Sequence, residues 1–296
     1  MRMRTNVLLI ATLSLAATLV VAQNPVGRFG GFTRGSRGSA AGRYGQRGRR
    51  SPAVSSRNDY PTWEIPREFK DDVFTFVRIE YDSTGSFAAW ERWDNDYPDG
   101  DWNFSYRLQQ LTSLEVEPNG KAMRLTDPEL FNYPFVYMSG VQRMVLTRDE
   151  QTAFGRYLLS GGFVMIDDLW NPQGWAHVRR VMEAVLPGHS PIELTIDHPI
   201  FHIVFDLKDL PQVTDIQTWS GGDDFEYYHG ATRGDEAPHF WAYFDEKGRM
   251  MALVCHNNDL GDGWEREGEN EDYFHRYSEK LSYPFGINVI VYAMTH

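Results

Sequence analysis

Short apolar runs bounded by turn residues recur along the chain from residue 73 onward. Residues 73–79, Val-Phe-Thr-Phe-Val-Arg-Ile, are β-branched and aromatic and predict a first strand. An aromatic, acidic loop follows at 87–101; residues 103–111 then place Phe104, Leu108 and Leu111 at helical spacing, and 114–116 predicts a short strand. Asp127-Pro128-Glu129-Leu130 reads as a helix start. Residues 134–138 form an apolar run closed by Ser139-Gly140, the pattern of a strand buried on both faces. Thr147-Arg148-Asp149-Glu150 is a capping box, because the Thr hydroxyl can accept from the Glu150 amide while the Glu carboxylate returns to the Thr amide. Phe154, Tyr157 and Leu158 continue the apolar stripe to Gly161-Gly162, which ends the helix. A second buried strand, 163–166, stops at Asp167-Asp168, so strand, helix and strand make a right-handed crossover unit of a parallel sheet.

Residues 175–186 carry Val178, Val181, Met182 and Val185 at helical spacing and end at Pro187-Gly188. Residues 239–244 and 249–255 flank Asp245-Glu246-Lys247-Gly248, a hairpin signal, and 287–294 predicts a closing helix. The expected class is α/β, a mostly parallel sheet flanked by helices with one antiparallel hairpin.

The N-terminal part departs from this pattern. Two arginines in the first four residues precede sixteen residues, 7–22, that are apolar apart from Thr and Ser and end in Val20-Val21-Ala22. That order predicts a signal peptide over 1–22, export to the periplasm or beyond, and no membrane-spanning segment once it is removed. Residues 23–57 are Gly/Arg-rich and predict a disordered basic tail, leaving 58–296 as a single domain. Residues 1–57 hold ten Arg and no Lys, Asp or Glu; the remainder has 19 basic and 41 acidic residues, a balance of −22. So acidic a domain repels nucleic acid and anionic lipid, and no specific nucleic-acid partner is expected. Cys255 is the single cysteine, which excludes an internal disulfide; set in an apolar run, it reads as a buried small residue. Oligomeric state leaves no mark in the sequence.

Ligands of such sheets bind beyond the carboxyl ends of the strands, which singles out Asp167 and Asp168 as an acid/base pair or metal ligands. The alternative is that one caps the next loop while the other faces water. Asp94, Asp96, Asp99 and Asp101 alternate before a helix, and Asp99-x-Asp101-x-Asn103 opens like a calcium loop, but Phe104 and Gln110 stand where that loop needs Gly and Glu. His198, near His202, and Asn258-Asp259 after the hairpin add nitrogen and oxygen donors, although Pro199 breaks helical spacing between the histidines. Tryptophans beside carboxylates, among them Trp170 and Trp264, suit sugars, which offer apolar ring faces and hydroxyls.

Seven stretches carry a resemblance: residues 76–81 with Arg78 and Tyr81, 96–101, 125–130, 133–138, 161–168, 198–201 and 258–265. Together, and in matching order from about Phe69 to His296, they resemble the bacterial family catalogued as domain of unknown function 4159. Residues 136–166 are similar to class I glutamine amidotransferase-like domains, including their trehalose-utilisation relatives, and this implies a flavodoxin-like arrangement. Those amidotransferases carry a nucleophilic Cys in the turn after a buried strand. Here Asp167 or Asp168 stands there, so a Cys-dependent amidotransferase is not expected.

Two functions remain open beside a structural partner of other envelope proteins. One is a non-catalytic recognition domain that binds a carbohydrate or envelope component at the C-terminal edge of the sheet through Arg78, Tyr81, Asp94, Asp96, Asp101, Trp170, His198, Asn258, Asp259 and Trp264. The other is a metal-assisted hydrolase, with a divalent metal on Asp167, Asp168 and His198.

Overall fold

The computed structural model describes residues 56–69, 72–84, 92–227 and 236–296, all within one compact unit, Pro52–His296. The predicted signal peptide and most of the predicted basic tail lie outside the described residues. Arg57, at the end of that predicted tail, is tied to the domain through Asn119 Oδ1 at 3.0 Å and the Pro118 carbonyl at 3.1 Å.

Strands β1 (Val77–Glu80) and β2 (Asp82–Ser83) are followed by α1 (Asp99–Leu111), β3 (Lys121–Arg124), β4 (Phe135–Met138) and β5 (Met144–Val145). Next come α2 (Arg148–Leu159), β6 (Phe163–Leu169), α3 (Asn171–Val185), β7 (Ile192–Glu193), α4 (Ile216–Ser220), β8 (His239–Phe244) and β9 (Met250–His256). The chain closes with α5 (Leu260–Glu265), α6 (Glu271–Tyr273), a π-helical stretch (Phe274–Ser282) and α7 (Tyr283–Thr295). Seven strands form one sheet in the order β3-β1-β4-β6-β9-β8-β7, parallel from β3 to β9 and antiparallel from β9 to β7. Strands β2 and β5 pair separately as a small antiparallel sheet.

Strand alternation divides the core. Phe76, Phe135, Tyr137, Phe163, Met165 and Cys255 turn to the face covered by α1, α5 and α7. Val77, Ile79, Val136, Met138, Val164, Ile166 and Val254 turn to the face covered by α2 and α3. From β1 the chain crosses to β3 on one side and returns to β4 on the other, so the winding reverses between β1 and β4. In open sheets of this kind the crevice for ligands lies at such a reversal, beyond the strand C-termini.

Four predicted elements form as expected: the capping box at Thr147, where Glu150 N donates to Thr147 Oγ1 at 3.2 Å and Thr147 N to Glu150 Oε2 at 2.9 Å; the parallel β4-α2-β6 unit; the β8–β9 hairpin; and the closing helix. Three predictions shift. The first strand starts at Val77, with Phe74 making only an isolated bridge to Val116, so the predicted strand at 114–116 reduces to that bridge. The edge strand β3 escapes an apolar-run search because only Met123 of its four residues is buried. Strand β6 runs through Asp167 and Asp168 to Leu169 instead of stopping before them.

Helices α2 and α3 meet closely at Gly155, where a Cβ would lie 2.4 Å from the Val185 carbonyl oxygen. Gly155→Ala should therefore destabilise the domain by about 1–3 kcal/mol through overpacking, although alanine favours an isolated helix. Chemical denaturation checks this; an unchanged or raised midpoint would contradict the close approach.

Candidate functional site

Three neighbouring strands put a polar side chain on the α1/α5 face. Arg78 of β1 stands in register with Tyr137 of β4, its guanidinium 4.9 Å from the Tyr137 ring. The Tyr137 hydroxyl donates to Asp167 Oδ2 of β6 at 2.8 Å. Arg78 is fully buried and donates to Asp101 through Nη2 at 2.6 Å and Nε at 3.0 Å, and to the Trp93 and Asn95 carbonyls through Nη1 at 3.2 and 2.8 Å. One cation thus fastens β1, the first turn of α1 and the acidic loop before it. Burial works against the Arg78 charge, but Asp101, by charge and hydrogen bond, with Tyr137 and Asp96 beyond it, holds the group above its usual pKa.

The register of β6 against β9 shifts between Ile166 and Leu169, and Asp168 adopts φ 48° within this bulge. Bulges of this kind re-aim side chains next to sites. Asp168 Oδ1 accepts from Trp170 Nε1 at 3.0 Å, and its Oδ2 accepts from Asn95 Nδ2 at 3.1 Å. Three further residues at this sheet edge, Asp96, Asn171 and Asn257, also have left-handed φ, between 58° and 62°. Such costly conformations persist where surroundings over-determine them, and they cluster at functional sites.

The segment after β9 supplies the other wall. Asp259 caps α5, accepting from Asp262 N at 2.9 Å. Gly261 N donates to Asp167 Oδ2 at 3.0 Å. A Cβ on Gly261 would lie 2.5 Å from Asp96 Oδ2 and 2.9 Å from the Tyr137 hydroxyl, so only glycine admits this approach. Asp259, Asp262 and Glu265 follow at helical i, i+3 spacing, and α5 turns them toward Asp96 and Asp168.

Two groups of carboxylates result. Oxygens of Asp168, Glu226 and Asp259 lie within 4.8 Å of one another, as do those of Asp96, Asp262 and Glu265. All but Glu265 are buried. Asp262 and Glu265 pair with Arg266, at 3.2 and 2.8 Å. Neither Asp168 nor Asp259 has a basic partner among the described residues. Asp96 Oδ2 and Asp167 Oδ1 are buried and accept no hydrogen bond among the described residues.

The electrostatic result is uniform. Burial, then Asp262, raise Asp96 to about 7 against the pull of Arg78 and Arg266. Burial raises Asp167 to about 7 despite the Tyr137 hydroxyl and the Asp168 and Gly261 amides. Asp168 is pushed well above the usual range by burial and then by Asp96 and Asp167; Asp259 by burial and then by Asp96, Asp168, Asp262 and Glu226. Burial and Asp96 carry Glu265 to about 9. Oxygen-only donors crowded beyond what their own protons tolerate are the chemistry of a hard divalent cation site.

The family model described as Domain of unknown function (DUF4159) matches residues 75–294. The chain belongs to this family. Among curated proteins, none matches it. In this DUF4159 domain the matched segment contains every residue of the carboxylate nest, and Gly261 has a steric reason to be glycine.

The DUF4159 nest gathers Asp96, Asp167, Asp168 and Asp259 of the predicted site residues. Arg78 and Asp101 are spent on each other and on backbone carbonyls, so they position the nest. Asn258 uses both ends of its amide on Val213 N and the Pro211 carbonyl, at 2.9 and 2.7 Å, and pins a loop. Tyr81 is buried with its hydroxyl on the Ser139 carbonyl, closing the β1/β4 reversal. Trp170 and Trp264 are fully buried and show no ring face to a ligand; Trp264 packs on Phe104, ring centroids 4.5 Å apart. Asp94 is partly exposed and pairs with Arg92 at 2.8 Å.

His198 is not brought to the nest, which corrects its place among the predicted metal ligands. It caps the turn Pro199–Phe201, and its ring packs near Tyr292 and Phe244. Phe244 pairs with Met250, the first residue of β9, whereas the nest follows the other end of that strand. Glu226, Asp262 and Glu265 were missed as site residues. The i, i+3 spacing from Asp259 signals the last two; Glu226 lies in a loop with no periodicity to reveal it.

These shifts set a pH dependence. Asp96, Asp167 and Glu265 keep protons in the folded protein at pH values where the unfolded chain has lost them, so their contribution is full below about pH 4 and is lost as pH rises through about 7 and then 9. In cation-free buffer the melting temperature should be higher at pH 5 than at pH 8; the reverse order would contradict the reading. Arg78→Met should cost about 3–5 kcal/mol by leaving Asp101 buried and unpaired, and adding Asp101→Asn should restore much of it. Denaturant unfolding of the single and double variants reads this coupling; simple additivity would contradict it.

Proposed function

We propose that the domain binds a divalent cation at the carboxylate nest and uses it for metal-assisted hydrolysis. One observation carries the reading: Asp168 and Asp259 are buried, each is pushed up by that burial and then by neighbouring carboxylates, and neither meets a basic side chain among the described residues. With Glu226 they offer a cation three oxygen donors within reach of one another. Asp96 adds a buried oxygen that accepts no hydrogen bond among the described residues. The donor set favours magnesium, calcium or manganese over softer metals, which prefer thiolate and imidazole. A bound ion would polarise a substrate oxygen or lower the pKa of a water. The buried Trp170 and Trp264 give sugar stacking no support at this nest, so the reading rests on the carboxylates. Export remains part of the proposal, on the charged, apolar and small-residue order of residues 1–22.

Calorimetric titration of chelator-stripped protein with magnesium, calcium and manganese tests the reading. Saturable binding is expected with at least one ion. Asp259→Asn should weaken it about tenfold or more while keeping the α5 cap, since the amide oxygen can still accept from Asp262 N. No heat, together with no metal in elemental analysis of unstripped protein, would remove the reading. Bound metal without turnover of chromogenic ester, phosphate or glycoside substrates would remove its hydrolytic half.

A further inference from the structure

Asp168 enters the nest from the bulge in β6, and a neutral donor meets each of its oxygens. The indole Nε1 of Trp170 donates to Oδ1 at 3.0 Å, and the Asn95 amide Nδ2 donates to Oδ2 at 3.1 Å. A carboxylate met on both oxygens cannot turn without losing a hydrogen bond, while each oxygen keeps lone-pair capacity for a cation. Because neither donor is charged, the group is oriented and its whole charge is left for an ion.

Each donor also ties Asp168 to a segment that carries another carboxylate of the nest. Trp170 is fully buried, and its ring meets that of Phe225 edge-on, with centroids 5.1 Å apart and planes at 87°. Phe225, itself buried, directly precedes Glu226, so the indole braces the loop that supplies this oxygen donor. Asn95 directly precedes Asp96, and its carbonyl accepts from Arg78 Nη1 at 2.8 Å. Backbone amides hold the other two donors of the trio: Asp259 Oδ1 accepts from Asp262 N at 2.9 Å, and Glu226 Oε1 from Asp215 N at 2.7 Å.

We propose that Trp170 and Asn95 are positioning residues that fix Asp168 among its neighbours, and that this fixed arrangement selects a small octahedral cation, magnesium or manganese, over calcium. The inference rests on the cation reading and adds the choice of ion to it. Magnesium demands near-ideal octahedral geometry at about 2.0–2.1 Å and takes few protein ligands, whereas calcium gathers roughly six to eight oxygens at about 2.3–2.6 Å in a pliable shell. Manganese shares the octahedral preference for oxygen. Three carboxylates pinned by hydrogen bonds provide few ligands and resist spreading around the larger ion. Groups that orient metal ligands in this way typically carry about 10–100-fold of metal affinity.

The full chain, stripped with chelator, is titrated calorimetrically with manganese and, separately, with calcium; the electron paramagnetic resonance spectrum of bound manganese reports the symmetry of its shell. Wild type should bind manganese more tightly than calcium. Trp170→Phe keeps a ring against Phe225 and removes the N–H, and Asn95→Ala removes the amide but keeps the carbonyl that Arg78 uses. Each should weaken manganese about tenfold or more and calcium about threefold or less, and each should alter the manganese spectrum. A general loss of structure would weaken both ions alike, and a melt in chelator shows which variants are folded. Asn95 is only half-buried, so Asn95→Ala carries the test if Trp170→Phe does not fold. Wild type that binds neither ion would remove the cation reading and this inference together. Wild type that binds calcium as tightly as manganese, or folded variants with an unchanged manganese-to-calcium ratio, would overturn this inference and leave the cation reading standing.

Discussion

The buried pair of Arg78 and Asp101 is the constraint on which this edge of the sheet depends. A guanidinium in the first parallel strand can stay charged inside a core only if its donors are met, and Asp101 and two loop carbonyls meet them. The consequence is geometric. The acidic loop must return over β1, and α1 must begin where Asp101 can reach inward. Asp96 is carried by that loop into the company of the carboxylates that end β6 and begin α5.

The nest is a place where the fold works against itself. Burial raises the proton affinity of Asp96, Asp167, Asp168, Asp259, Asp262 and Glu265, neighbouring carboxylates raise Asp96, Asp168, Asp259 and Glu265 further, and Arg78 and Arg266 offset only part of the effect. What holds the groups together is apolar and aromatic: Phe76, Phe104, Tyr137 and Trp264 interlock with centroid separations between 4.5 and 6.2 Å. Rigid packing of that kind keeps charges in place that would otherwise separate.

Local backbone choices complete the arrangement. The bulge in β6 presents two successive carboxylates at one end of the sheet, where an uninterrupted strand would send them to opposite faces. Gly261 lets α5 approach so closely that its own amide satisfies one oxygen of Asp167. The aromatic array on the other side of the sheet, from Trp175 to His256, ends on the last residue of β9, directly before the run that enters the nest.

Much of this was legible from residue order, and the rest was not, for a consistent reason. Period and punctuation are local, so the apolar runs of β4 and β6, the Thr147 capping box, the β8–β9 hairpin and the closing helix follow from short windows of sequence. The pair Asp167-Asp168 stood out because it closes an apolar run at the end of the sheet where ligands bind. Side-chain partnership is not local. That Arg78 would be spent on Asp101, that Asn258 would pin a loop, that Trp170 and Trp264 would be interior, and that His198 would lie beside the opposite end of β9 depend on which distant segments meet. Glu226 joins the nest from a loop without pattern, and the Asp168 bulge depends on how β6 pairs with β9. The order of residues by itself determined the layers and the strands that end at the crevice; tertiary packing alone decided which charges share it, because burial and mutual distance, which set their energies, exist only once the chain has folded.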